Sequence, residues 1–135
     1  MTISLKILPS GTYAVLIDES AGDALESFGG ALSALLQETP LARAAAKARF
    51  ARGNAASKIR LRWHSSYATA AAAFSAVVTN AGRKGVLVDL KFVEGGSGGT
   101  TAYIHNAIAD SYEYLQEGRA VSHALNFTGD DLSSS

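Results

Sequence analysis

The chain contains no cysteine, which removes disulfides, thiolate metal ligands and cysteine nucleophiles together. No apolar run approaches the roughly 20 residues that a helix needs to span a bilayer. The opening MTISLKILPS lacks the basic n-region and the long apolar stretch of a signal peptide. A soluble, non-secreted protein with no membrane partner is the expectation. The only strongly glycine-rich stretch, EGGSGG at 94–99, is not a phosphate loop, because no Lys-Ser/Thr pair closes it and no helix is predicted after it. It is expected to be a hairpin loop. Net charge is absent too: 12 basic residues balance 12 acidic ones, so the total announces neither nucleic acid nor an anionic surface.

Acid is missing locally as well. From Thr39 to Val88 there is no Asp or Glu, while Arg43, Lys47, Arg49, Arg52, Lys58, Arg60, Arg62, Arg83 and Lys84 all fall in that interval. The acids lie before it, from Asp18 to Glu38, and after it, from Asp89 to Asp131. A neutral chain thus carries a basic middle and acidic ends. What is present otherwise is ordinary for a globular protein: 135 residues, 47% hydrophobic and 18% charged, enough for one domain with a buried core.

The stretch 57–92 organises the rest. Ile59, Leu61 and Trp63 alternate with Lys58, Arg60, Arg62 and His64, the period of a strand with one buried and one wet face. Ser65 and Ser66 are candidate caps for a following helix. Tyr67, Ala70, Ala71, Phe74, Val77, Val78 and Ala81 recur at spacings of three and four, which predicts a helix over about 67–81 with one apolar stripe. Gly82 suits a left-handed C-cap. After Gly85, the residues from Val86 to Val93 alternate again as a strand.

Around this unit, Ile3 to Ile17 reads as two strands joined at Pro9-Ser10-Gly11. Between Asp18 and Gln37, Ala24, Leu25, Phe28, Ala31, Leu32, Leu35 and Leu36 have helical spacing broken by Gly29-Gly30, which predicts a two-piece helix or a loop and a helix. Leu41 to Ala56 is alanine-rich and basic, with Leu41 and Phe50 its only large apolar residues, and is expected to be an exposed helix or an extended arm. Thr101 to Tyr114 alternates with a bulge near Asn106-Ala107, Gln116-Glu117-Gly118 turns, and Val121, His123, Leu125 and Phe127 mark a last strand. Residues 129–135 are expected to be a frayed polar tail. The fold class that follows is α+β: a single domain over 1–135, an antiparallel sheet or sandwich with one principal helix packed on it. A helical or extended region at 18–56 is inserted in it.

No catalytic constellation is legible. His64, His105 and His123 lie on separate strands without close ligand spacing, so no metal and no cofactor is expected. The glycine-x-serine-x-glycine frame is absent around Ser65-Ser66. Asp110 and Glu113 have odd spacing, which on a regular strand points them to opposite faces. Trp63 among Arg60, Arg62 and His64 fits a base-stacking platform only if it leaves the face it shares with Ile59 and Leu61.

The alanine-rich helix, Gly85–Val93, Thr100-Thr101-Ala102-Tyr103, Asn106-Ala107-Ile108, Gly118-Arg119 and Ala124-Leu125-Asn126-Phe127-Thr128 together resemble small phage and prophage tail proteins. The resemblance covers roughly residues 53–128 and is one of element order and short words. It implies a non-enzymatic structural protein of the tail tube, tube-end or tail-completion type, made in the host cytoplasm and resident in the virion tail. It also implies partners among other tail proteins and among copies of itself, in rings that are commonly hexameric.

The charge layout suits such assembly, since a positive surface on one copy can meet a negative one on the next. Candidate interface residues are Arg43, Lys47, Arg49, Arg52, Arg60 and Arg62 on the basic side and Asp110, Glu113 and Glu117 on the acidic side. The alternative is a nucleic-acid-binding protein that uses Arg43–Arg62 as a phosphate track.

Overall fold

A computed structural model describes residues 1–32, 34–40, 47–54, 57–96 and 98–135, with side chains given outside 33–56 and 97. Among these described residues nine strands and one helix follow in the order β1 (Thr2–Ile7), β2 (Ala14–Asp18), a 3-10 turn (Glu19–Ala21), β3 (Ala24–Ala31), β4 (Ala34–Pro40), β5 (Lys47–Asn54), β6 (Ser57–Ser66), α1 (Ala70–Ala81), β7 (Leu87–Glu94), β8 (Thr100–Glu117) and β9 (Ala120–Gly129). Seven strands form one antiparallel sheet in the order β2-β1-β7-β8-β9-β6-β3. The class is α+β with one principal helix, as the periodicities require.

The sheet rolls. Phe28 on β3 and Phe92 on β7 are separated by three intervening strands, which in a flat sheet means roughly 19 Å. Their ring centroids are 5.1 Å apart. Curling this far encloses one main core of Ile3, Leu5, Ile17, Leu61, Trp63, Leu90, Ile104, Leu125 and Phe127 with their neighbours. β6 sorts its side chains by chemistry: Ile59, Leu61 and Trp63 go inward, and Lys58, Arg60 and Arg62 stay exposed.

The region 18–56 departs from the helical expectation. β3 pairs with β6, and β4 pairs with β5 as a two-stranded ribbon that continues the β3–β6 hairpin in sequence. Of the two expectations for 41–56, the extended arm fits residues 47–54, while residues 41–46 and 55–56 lie outside the described residues. The misleading signal at 24–31 has an identifiable cause. Register shifts between Leu25 and Ser27, so Leu25 faces Trp63 and Phe28 faces Leu61 with Glu26 as an extra residue. A bulge turns the strand spacing of two into three and so imitates a helix. The Gly29-Gly30 pair serves sheet pairing, because a Cβ at Gly30 would lie 2.5 Å from the Lys58 carbonyl oxygen and 2.6 Å from Ile59 Cδ1.

The helix also differs in detail. It starts at Ala70, not Tyr67, because the Thr69 hydroxyl caps it by accepting from the Ala72 amide (3.0 Å), while Ser65 and Ser66 remain in β6. Gly82 is right-handed (φ −69), and the left-handed turn falls at Gly85 (φ 81). The buried residues are Ala73, Val77 and Asn80, of which Ala73 and Val77 pack with Val121, Tyr67 and Tyr112. Phe74 and Val78, placed in the buried stripe by spacing alone, are 58% and 55% exposed. Tyr67 and Tyr112 already supply bulk beneath the helix, so small residues on α1 give the closest fit.

β8 is a single strand with two bulges. His105 and Asn106 both oppose Asp89, and Asn106 takes a positive φ (54) with its amide donating to Asp89 Oδ1 (3.0 Å). This is the bulge predicted near Asn106-Ala107. The end of the chain, expected to fray, instead pairs with the start of β8: Ser133 and Tyr103 exchange two backbone hydrogen bonds of 2.8 and 2.9 Å.

Candidate functional site

The convex side of the β8–β9–β6 part of the sheet gathers most of the residues that sequence singled out. Lys58, Arg60 and Arg62 form one exposed column on β6. Directly opposite on β9 stand Thr128, Asn126 and Ala124, and beyond them on β8 stand Ser111, Glu113 and Glu117. A second bulge, between Ala109 and Ser111, leaves Asp110 as an extra residue. It shifts the phase of the strand, so Asp110 and Glu113 share this face despite their odd spacing. The Thr128 hydroxyl donates to the Asp110 carboxylate, which fixes that orientation.

Basic and acidic columns are therefore two strands apart, about 10 Å across the sheet. A neutral ladder spans the gap: Arg60 Nε donates to Asn126 Oδ1 (3.3 Å), and Asn126 Nδ2 donates to Ser111 Oγ (2.7 Å). Among the described residues no ion pair joins the two columns. A groove of about 680 Å³ runs beside them, lined by Gly29, Lys58, Arg60, Asp110 and Asn126 among others. The ladder residues were missed by charge counting, since they are neutral; their in-register polar alternation on β9 is the signal that marks them.

Of the other candidates, Lys47, Arg49 and Arg52 lie on β5, for which the backbone alone is described. Arg43 lies outside the described residues. The structure thus brings Arg60, Arg62, Asp110, Glu113 and Glu117 onto one face, and the β5 cations stay on the ribbon.

The histidines do not converge. His64 is on the convex face, with Nδ1 3.2 Å from the Ser122 hydroxyl. His105 sits 3.4 Å from Asp89, and its pKa is raised by the Ser135 carbonyl that its ring N–H meets (2.9 Å), with Asp89 adding to the effect. His123 is inside, stacked on Trp63 with centroids 4.8 Å apart. Its Nε2 meets the Tyr67 hydroxyl (3.0 Å) and its Nδ1 the Tyr112 hydroxyl (2.6 Å). A neutral imidazole satisfies both contacts, accepting one and donating the other. Burial pushes the His123 pKa down to about 4, with the nearby Arg83 charge acting in the same direction and Asp23 against it. Trp63 is 2% exposed, so it belongs to the core and offers no stacking platform on the basic face. Among the described residues, no three His, Asp or Glu side chains group to hold a metal ion.

No known protein-family profile matches this sequence, and no curated protein matches it. Solved structures do. A chain in the tail of an empty GTA particle, computed with helical refinement and C6 symmetry, superposes with a TM-score of 0.54 at 12% identity, covering 99% of this chain and 94% of that one. A chain in the six-fold symmetrised baseplate of the anti-feeding prophage superposes with a TM-score of 0.51 at 9% identity, covering 97% and 89%. Identities this low establish a common fold. The chain has, over nearly its whole length, the fold of components of phage-like tail particles.

Proposed function

We propose that this chain is a non-enzymatic structural subunit of a phage-like tail that assembles with copies of itself into a ring or tube layer, six to a ring and next to other tail proteins. It works in the virion tail after assembly in the host cytoplasm. The observation that carries this is the end-to-end fold likeness to chains of two tail particles, both solved with six-fold symmetry. The site adds a mechanism. Unpaired columns of opposite sign on one face favour a neighbour that sets its acids against Arg60 and Arg62 and its bases against Asp110, Glu113 and Glu117. Lys47, Arg49 and Arg52 on β5, with Arg43 in the sequence between β4 and β5, are further candidates for the positive side. Sheet edges at β2 and β3 offer further surfaces.

Light scattering tests this directly. Wild type should show an oligomer whose mass falls as salt rises. Arg60→Glu with Arg62→Glu should weaken it by about tenfold or more while leaving the monomer folded, since both side chains are exposed. A chain that is monomeric at every concentration and salt, and that binds DNA through the 43–62 cations, overturns assembly in favour of nucleic-acid binding.

A further inference from the structure

Helix α1 presents an unusual outer surface. Eight of its twelve residues are exposed and none of the twelve is charged, whereas a helix facing water usually carries charge there. Phe74 and Val78, four residues apart, form an apolar ridge on it. Just past its end come two cations: Lys84, exposed, and Arg83, part-buried and hydrogen-bonded to the Asn80 side chain. Elsewhere on the chain lies the counterpart. Phe28, Phe92, Ala102 and Leu132 line an apolar recess of about 110 Å³, room for one large apolar side chain, and the Glu94 side chain beside them is 60% exposed, with its carboxylate 3.6 Å from the Met1 ammonium. Within one chain α1 packs on the β8–β9 end, at Gln116 and Val121, while the recess is built by β3, β7, the start of β8 and the terminal segment.

We propose that the α1 ridge of one copy docks into this recess of a second copy, with Lys84 and Arg83 meeting Glu94. One ridge side chain fills the recess while the other lies at its rim, cation meets anion, and the two surfaces differ, so the contact is head-to-tail and closes into a ring when the rotation permits. The inference rests on self-assembly as proposed above and adds to the charged columns a second, apolar contact between copies.

The test is sedimentation of the full chain. Phe74→Ser with Val78→Ser should raise the concentration for half-assembly by about tenfold or more, with the monomer's circular dichroism and melting unchanged, because both positions are exposed. Lys84→Glu should weaken assembly, Glu94→Lys should weaken it likewise, and the two together should restore a large part of the loss. If wild type assembles and the ridge variant assembles equally well, the docking is wrong although self-assembly stands. The same holds if the double charge swap is no better than the single ones. If wild type never assembles, the proposed function itself fails.

Discussion

Strand β6 and helix α1 are neighbours in sequence, and they were not equally legible. Along β6 the two faces differ in chemistry: aliphatic and indole groups alternate with cations, and water sorts them without ambiguity. Around α1 the candidates are alanine, valine and phenylalanine on almost every side, so hydrophobicity does not say which stripe goes in. The partner surface decided that. The difference teaches that burial can be read from sequence where the faces contrast, and not where they are alike.

The comparison can be broken most severely on the strand side. Trp63→Ala removes a 2% exposed side chain stacked on His123, and should cost about 3–5 kcal/mol by chemical denaturation. A loss below about 1 kcal/mol would mean that the inner face of β6 is not core. On the helix, two substitutions sharpen the contrast. Val77→Asp places an uncompensated carboxylate against Val121 and should cost about 3 kcal/mol. Phe74→Asp, three residues earlier, should cost about 1 kcal/mol or less in the monomer, because Phe74 is exposed. Equal losses at both positions would restore the wider stripe that spacing alone suggests.

A gentler perturbation is pH. The pKa of His123 falls from about 6.5 in the unfolded chain to about 4 in the fold. The unfolded state therefore binds more protons between these values. The stabilisation is complete above about pH 6.5 and is lost as pH falls toward 4, by at most about 3 kcal/mol. His123→Gln, which keeps one donor and one acceptor for the two tyrosines, should flatten the pH dependence of the melting temperature in that window. An unchanged slope would assign the effect to other groups.

Much of the sheet was readable before any tertiary information. β1, β2, β6, β7 and β9 follow from alternation, and the β8 bulge at Asn106 follows from its interruption. The β3 strand was not readable, because its bulge at Glu26 gives Leu25 and Phe28 a helix-like separation and because alanine and leucine are strong helix formers. Only the long-range ladder to β6 overrides that local preference. The candidate interface was half legible. Charge counting found the cations and carboxylates, but a bulge at Asp110 was needed to put Asp110 and Glu113 on one face, and the Asn126 ladder between the columns depends on register.

The sequence by itself determined an antiparallel sheet with one helix, an interior tryptophan and the separation of charge along the chain, because these depend on contrasts between adjacent residues. The tertiary structure decided which stripe of α1 is buried, that 24–31 extends along β6, and that Phe28 meets Phe92 across the rolled sheet. Those outcomes depend on residues far apart in the chain meeting at one surface, where available volume and strand register, not local chemistry, select among apolar side chains.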